Sequence, residues 1–277
     1  MTLLAWIVLF TLLGGLLSVL AASGFLLIPD SWRSRALPAM VSFAVGALLG
    51  AVFLALLPHA LETSAGGDLH VMTGVVLLGL LGFFLLEKLV LWRHCHHDEC
   101  EAHGTGGAAG GKTPGATETR APEPQHNHAT AAGYLILVGD AVHNFVDGVL
   151  IAAAFLTDVH LGIVTAIAVA AHEIPQEVGD FAILLHSGFT RSRAFVYNVL
   201  SSLTTVIGGV LAYVSLSSVQ SLVPYVLAIA ASSFIYIAVA DLIPGLHKRV
   251  EPRATFEQLL LIGAGVLVIY LAHTTLH

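Results

Sequence analysis

The sequence predicts an all-α integral membrane protein, and three observations support this prediction. First, 56% of the 277 residues are hydrophobic and only 10% are charged, whereas soluble domains average about 25% charged residues. Second, eight apolar stretches approach or exceed the ~20 residues that a membrane-spanning helix needs. Third, the basic residues all fall on one side of a model with eight spans. We therefore expect one membrane domain of eight transmembrane helices.

The apolar stretches are joined by short polar connections, with one exception. We place the spans at 3–28, 37–60, 71–92, 131–156, 161–187, 194–216, 222–246 and 256–276. Residues 1–92 then hold the first three helices, residues 93–130 form a long loop, and residues 131–277 hold the last five helices.

The distribution of charge sets the expected orientation. All 11 Lys and Arg residues fall at the end of an odd-numbered span or in the loop after it, and the opposite loops contain Glu62, Asp68 and Asp158 without a basic residue. Cytoplasmic loops carry the excess of basic residues, so both termini are expected outside. The lipid bilayer is the expected partner, and no nucleic-acid partner is expected. Small residues in the spans would permit a homodimer.

The long loop at 93–130 is rich in Gly, Ala, Pro and Thr, a composition that favours disorder. It is also rich in metal ligands: His94, His96, His97, His103, His126 and His128, together with Cys95 and Cys100. Imidazole and thiolate suit zinc. We expect weak metal capture on the cytoplasmic side, and the alternative is a solvating linker that happens to contain histidine.

Two spans carry ionisable residues near their centres, where such a group costs about 2.5–3.5 kcal/mol. One reads His-Asn-Phe-Val-Asp-Gly at 143–148, and the other reads His-Glu-Ile-Pro-Gln-Glu-Val-Gly-Asp at 172–180. Residues four apart share a helix face, so each motif presents a polar cluster at the same depth. The candidate metal ligands are His143, Asn144, Asp147, His172, Glu173 and Gln176.

This mixture of imidazole, carboxylate and amide oxygen suits zinc, iron(II) or manganese(II), whereas calcium would want more oxygen ligands. An ion that crosses the membrane must also bind weakly enough to leave. Other polar residues could line its path or form accessory metal sites: Glu177, Asp140, Asp180 and His186 towards the cytoplasm, and His59 near the entrance. Pro175 could kink its helix or free a carbonyl group.

Both motifs resemble the signature helices of the ZIP family of divalent-metal transporters. The segment at 143–148 is similar to the fourth-helix signature, and the segment at 172–181 is similar to the fifth-helix signature of the branch that includes many animal zinc importers. The run Phe-Ile-Tyr-Ile-Ala at 234–238 is also similar to that branch. Together with the eight spans and the His-rich loop, the resemblance covers most of the chain.

The resemblance implies a ZIP-like bundle that carries zinc, or else iron, manganese or cadmium, into the cytoplasm as its substrate. It also implies a binuclear site, with His143, Asp147, His172 and position 176 around one metal. Asn144, Asp147, Glu173 and position 176 would frame or bridge the second. Gln176 departs from the branch, which commonly has His there, while other family members have Glu. A neutral amide should weaken first-row metal binding or shift the preference towards harder ions.

Three other functions compete with transport into the cytoplasm, and one of them is a metal-sensing or scaffold membrane protein, which would show no metal flux. A zinc exporter of another class can share the His-x-x-x-Asp spacing of residues 143–147, but such exporters have six spans and a soluble C-terminal domain. An intramembrane metal-dependent hydrolase would need a second histidine at position 176, where Gln176 stands. An enzyme is therefore not expected. The length of the chain suggests a prokaryotic protein of a bacterial inner membrane.

Overall fold

The computed structural model describes residues 2–63, 69–94 and 126–276, and nearly all of them are helical, with no strand among them. The α-helices are α1 (Leu3–Phe25), α2 (Asp30–Ala51), α3 (Leu57–Thr63), α4 (Leu69–His94), α5 (His126–Thr157), α6 (Val159–His186), α7 (Arg191–Leu216), α8 (Val223–Tyr236), α9 (Ile243–Leu246) and α10 (Pro252–Leu276). A π-helix at Val52–Leu56 joins α2 to α3, and another at Ile237–Leu242 joins α8 to α9. The predicted all-α class is confirmed.

Seven segments of the described chain are long and apolar enough to cross a membrane. They are Leu3–Phe25, Ser31–Thr63, Leu69–Leu89, Gly133–Thr157, Arg191–Leu216, Gln220–Leu246 and Pro252–Thr275. The predicted fifth span corresponds to α6, which is long enough at 28 residues but carries four ionisable residues between His172 and Asp180. The count of eight spans and the placement of both termini outside therefore stay predictions.

The helices on either side of the predicted loop at 93–130 extend into it. The helix α4 continues to His94, and α5 begins at His126. The remaining predicted metal ligands of the loop, His96, His97 and His103, lie outside the described residues, as do both cysteines.

The long helices pack in two groups. In the first group α5 packs most extensively on α7, and α1 packs on α6 and α7. In the second group α2 packs on α10, and α4 and α3 pack on α8. The helix α6 also contacts α2, so it connects the groups. The shared core includes Phe155, Leu161, Leu227 and Phe234, all almost fully buried.

The α5–α7 contact brings the two helix backbones together through glycine. A Cβ atom at Gly148 would lie 1.9 Å from the carbonyl oxygen of Thr205, and one at Gly208 would lie 2.1 Å from the carbonyl oxygen of Phe145. No side chain fits in such a gap, so these two glycines fix how α5 lies against α7. Small residues allow the same close approach between helices in membranes generally.

Each π-helix ends two residues before a proline. Proline lacks an N–H group, so Pro58 and Pro244 cannot donate to the carbonyl groups four residues earlier, at Leu54 and Ala240 within the two π-helices. By contrast, α6 continues as an α-helix through Pro175. In the second group, the helix is therefore wider than an α-helix in the turns at Val52–Leu56 and Ile237–Leu242. The segment around Pro175 remains α-helical.

The glycine contact leads to a stability prediction. Gly148→Ala should lower the melting temperature of the detergent-solubilised protein, because overpacking of this kind costs about 1–3 kcal/mol. Gly139→Ala is the matched control in the same helix, since a Cβ atom there meets nothing within 4 Å, and it should be neutral or stabilising. Equal melting temperatures for the two variants would contradict the close packing of α5 on α7.

Candidate metal centre

Four side chains from α5 and α6 converge on one point. One ligand atom from each of His143, Asp147, His172 and Glu173 lies within 4.8 Å of all the others. The i,i+4 spacing of His143 and Asp147 puts both on the face of α5 that meets α6. The adjacent pair His172 and Glu173 comes from the facing turn of α6. We call these four residues the four-ligand centre.

Three of the distances within the four-ligand centre match those around a tetrahedral zinc ion. Nε2 of His172 lies 3.2 Å from Oδ2 of Asp147, and Nε2 of His143 lies 3.3 Å from Oε1 of Glu173. The two Nε2 atoms are 3.3 Å apart. Ligand atoms held about 2.0–2.1 Å from a tetrahedral zinc lie about 3.3 Å from one another. Two further pairs are wider, since Nε2 of His143 lies 3.8 Å from Oδ2 of Asp147 and Nε2 of His172 lies 3.7 Å from Oε1 of Glu173. The four atoms therefore surround a point that one such ion could occupy.

Burial makes a cation necessary at this point. Asp147, His172 and Glu173 are at most 1% exposed, and the side chain of His143 is 23% exposed. Neither carboxylate oxygen of Asp147 or of Glu173 accepts a hydrogen bond from the described residues. Two buried carboxylates without donors are costly unless a positive charge lies between them. Protonated imidazole or a metal ion would meet that need.

The tautomer of His172 favours metal binding. Its Nδ1 lies 3.1 Å from the carbonyl oxygen of Ala168, and because a carbonyl oxygen only accepts, Nδ1 carries the proton. The lone pair of Nε2 then points into the four-ligand centre, as in metal-binding histidines whose other nitrogen donates to the backbone. The ring also packs against Phe234, with centroids 5.9 Å apart. Phe234 begins the Phe-Ile-Tyr-Ile-Ala run at 234–238.

Asn144, a predicted ligand, faces α7 instead of the four-ligand centre. Its Nδ2 donates to Oδ1 of Asp140 at 2.9 Å, and its Oδ1 accepts from Oγ1 of Thr205 at 2.8 Å. Ser201 donates a hydrogen bond to the other oxygen of Asp140. The amide of Asn144 is thus committed to the α5–α7 contact, and its role as a metal ligand stays a prediction.

A cavity of about 450 Å³ opens beside the four-ligand centre. Its wall includes His143, the predicted ligand Gln176, and the predicted path residues Asp140 and Asp180. The second group of helices contributes Glu87, Tyr236 and Asp241 to the opposite wall. The cavity therefore joins the four-ligand centre to the end of the bundle at which α4 ends and α5 begins.

The remaining predicted residues lie outside the four-ligand centre. His59 donates from Nδ1 to Ala55, with the two atoms 2.9 Å apart, and its ring lies against that of His273. His186 is exposed in the last turn of α6. Glu177 is fully buried. His94, His126 and His128 lie in terminal turns of α4 and α5, and the structure does not describe their side chains.

Sequence reasoning missed several polar residues of this region. Glu87 accepts a hydrogen bond from the hydroxyl group of Tyr236, which ties α4 to α8. Its one signal was an acid inside an apolar span, next to Lys88. Ser201 and Thr205 were also missed. Single Ser and Thr residues are common in membrane helices, where the hydroxyl group usually donates a hydrogen bond to a backbone carbonyl group of the preceding turn.

A buried centre of two imidazoles and two carboxylates inside an apolar helical bundle defines a multi-pass membrane protein that handles metal ions. A family model described as "ZIP Zinc transporter" matches residues 2–273, and the chain belongs to this family. The comparison confirms the resemblance and favours neither a hydrolase nor an exporter of another class. The ZIP proteins are transporters, so the expectation that the chain is not an enzyme is confirmed.

Similar proteins include the zinc transporter ZIP13 of Mus musculus, which is 34% identical over 258 residues, covering 87% of this chain and 70% of the relative. The Homo sapiens ZIP13 is 33% identical over 274 residues, covering 87% and 71%. The Homo sapiens ZIP4 is 33% identical over 264 residues, covering 78% of this chain but only 40% of the relative.

Metal binding at the four-ligand centre should stabilise the protein. Zinc at about 100 times its Kd should add about 2.7 kcal/mol and raise the melting temperature of the wild type. Asp147→Asn removes one ligand charge and should abolish most of this rise. Asp158→Asn, at the N-cap of α6, is the charge-matched control that keeps it, since Asn caps as well as Asp. An equal rise in both variants would place the stabilising metal elsewhere.

Proposed function

We propose that the protein transports a divalent transition metal, with zinc as the first candidate, across the membrane into the cytoplasm through the four-ligand centre. The observation that carries this proposal is the convergence of His143, Asp147, His172 and Glu173 within 4.8 Å, inside helices long enough to span a bilayer. The names of the ZIP13 and ZIP4 relatives support zinc as the substrate.

The direction of transport is supported by the position of the cavity. The basic residues that the structure describes mark the end of the bundle at which α4 ends, and basic loops favour the cytoplasmic side. The cavity beside His143 lies towards that same end. In this conformation an ion at the four-ligand centre would therefore have access to the cytoplasm.

The packing supports a carrier in which one group of helices moves against the other. All four ligands belong to α5 and α6, in the first group, while Glu87, Tyr236 and Asp241 of the second group form the opposite wall of the cavity. A shift between the groups would change access to the ion and leave its ligands in place. The structure around α5 would move as a unit, because Gly148 and Gly208 lock it to α7.

Several finer statements remain predictions from the sequence. They are a prokaryotic origin, a bacterial inner membrane, assembly as a homodimer, and the choice among zinc, iron, manganese and cadmium. The chain is a multi-pass membrane protein of the ZIP family, and the relatives named above come from animals.

Flux through purified protein tests the transport proposal directly. Wild-type protein in liposomes loaded with a metal-sensitive dye should admit zinc down its gradient. His172→Ala and Asp147→Ala should each reduce the initial rate by roughly 10-fold or more, as expected for the loss of a metal ligand. His186→Ala, in the same helix but exposed, should transport normally. An absence of zinc, iron and manganese flux through folded wild-type protein would refute the proposal.

Gln176 should influence the choice of metal. An imidazole at this position would favour zinc over manganese, because nitrogen ligands suit zinc better and oxygen ligands suit manganese. Gln176→His should therefore raise the ratio of zinc to manganese flux, and Gln176→Glu should change it less. Competition between the two metals in the same liposomes measures the ratio. An unchanged ratio in Gln176→His would show that the residue does not contact the ion.

A further inference from the structure

An apolar groove of about 430 Å³ runs between α4 and α5. Among the described residues its wall consists only of glycine, leucine and valine, four of them in α4 from Gly82 to Leu89 and four in α5 from Leu135 to Val142. In each helix these residues recur at the spacing i, i+3, i+4, i+7, which places them on one face. Two apolar helix faces are therefore opposed here, and we call the space between them the α4–α5 groove.

Two glycines in this wall keep the groove open. A Cβ atom added at Gly82 or at Gly139 would meet nothing within 4 Å, in contrast to the tight contact of Gly148 with α7. The neighbouring Leu85 and Val138 are 56% and 63% exposed. Within the part of the chain that the structure describes, α4 packs mainly on α8 and has no extensive contact with α5. The groove therefore opens to the surroundings of the bundle.

The surroundings of the groove are the hydrocarbon of the bilayer. Its wall lies within Leu69–Leu89 and Gly133–Thr157, two of the segments that are long and apolar enough to cross a membrane. The groove therefore continues the lipid-facing surface of a multi-pass membrane protein. An empty groove would leave the atoms that line it without contact partners and without their dispersion energy, so an apolar occupant is favoured.

The α4–α5 groove lies directly beside the cavity that adjoins the four-ligand centre. Leu86 and Gly139 line both spaces, and the next residue in each helix, Glu87 or Asp140, lines the cavity alone. The boundary between the apolar groove and the acidic wall of the cavity therefore falls at a single residue in each helix. Because contact of an ion with hydrocarbon is costly, the occupant of the groove has to cover this boundary.

A lipid chain fits this groove better than a segment of protein does. The chain from 95 to 125 connects α4 to α5, but it is rich in His, Glu, Thr and Gly, which cover leucine and valine poorly. A helix of a second copy is about 10–12 Å across, so it would contact mainly the rim at Leu85 and Val138. An acyl chain is apolar and narrow, and Lys88, exposed near the end of α4, supplies a positive charge for the phosphate group of the lipid.

We propose that the α4–α5 groove binds an acyl chain of a phospholipid from the leaflet at which α4 ends, and that this chain completes the wall between the bilayer and the cavity. The binding itself goes beyond the proposed function, and only its consequence rests on that function. The helix α5 belongs to the first group and α4 to the second, so the chain lies between the parts that move during transport. A fluid chain keeps the boundary covered while α5 shifts past α4.

Photolabelling of the full-length protein tests the binding. Purified protein in detergent is titrated with phosphatidylcholine that carries a diazirine group in its acyl chain, and the labelled residues are located by mass spectrometry. Labelling at residues 135–142 should saturate, because the groove has room for few chains. Labelling at Leu77 and Leu78, which are exposed on α4 outside the groove, should rise in proportion to the probe.

Variants that fill the groove should remove the saturable labelling. Gly82→Phe fills it from α4 at a position that does not line the cavity, and Val138→Phe fills it from α5. Gly74→Phe is the matched control in α4, since a Cβ atom there also meets nothing within 4 Å, and it should label like the wild type. A rise in melting temperature with zinc shows that each variant is folded.

The proposal is refuted if folded Gly82→Phe and Val138→Phe both keep saturable labelling at residues 135–142. It is also refuted if these residues in the wild type are labelled only in proportion to the probe, or are not labelled because protein covers them. An absence of zinc flux through the wild type would instead refute the proposed function, and the labelling by lipid would remain.

Discussion

The central constraint on this structure is the burial of two carboxylates, those of Asp147 and Glu173, inside an apolar bundle. Asp147 and Glu173 lie at the junction of α5 and α6 with almost no exposure and, within the described ranges, without hydrogen-bond donors. The imidazoles of His143 and His172 lie beside them. Burying such carboxylates opposes folding unless a cation compensates for them. The same imbalance that costs stability creates affinity for a divalent ion, so stability and cargo binding are coupled in one set of atoms.

The helix α5 links this centre to the rest of the bundle. Its glycine contact with α7 leaves no freedom in the rotation of α5, and this orientation directs alternate polar residues to different partners. His143 and Asp147 face α6, whereas Asp140 and Asn144 bond to Ser201 and Thr205 of α7. One helix therefore directs two ligands to the four-ligand centre and two other polar side chains to α7, and no loop is needed to arrange them.

Much of this could be predicted from the sequence, because helical periodicity alone places His143 with Asp147 and puts His172 at a matching depth. The hydrogen-bond partners of Asn144 could not be predicted, because they depend on how α5 is rotated against α7. That rotation is set by the backbone contacts at Gly148 and Gly208. Hydropathy also describes α6 poorly, because its ligands reduce its apolar character although it lies at the centre of the bundle. Glu87 was missed because a charge near the end of a span usually lies at the interface, whereas this one lines the cavity.

The helix α4 shows the opposite extreme of burial, with most of its leucines exposed, among them Leu77, Leu78, Leu81 and Leu85. In a bilayer these positions meet only lipid, which accepts any apolar side chain of similar size. Evolution can therefore alter these positions of α4 freely, whereas Glu87 of the same helix is tied to Tyr236 and the buried residues of α5 are constrained by α6 and α7. As copies of this protein diverge, we expect substitutions to accumulate mainly at the lipid-facing positions of α4. The metal-binding residues of α5 should change least.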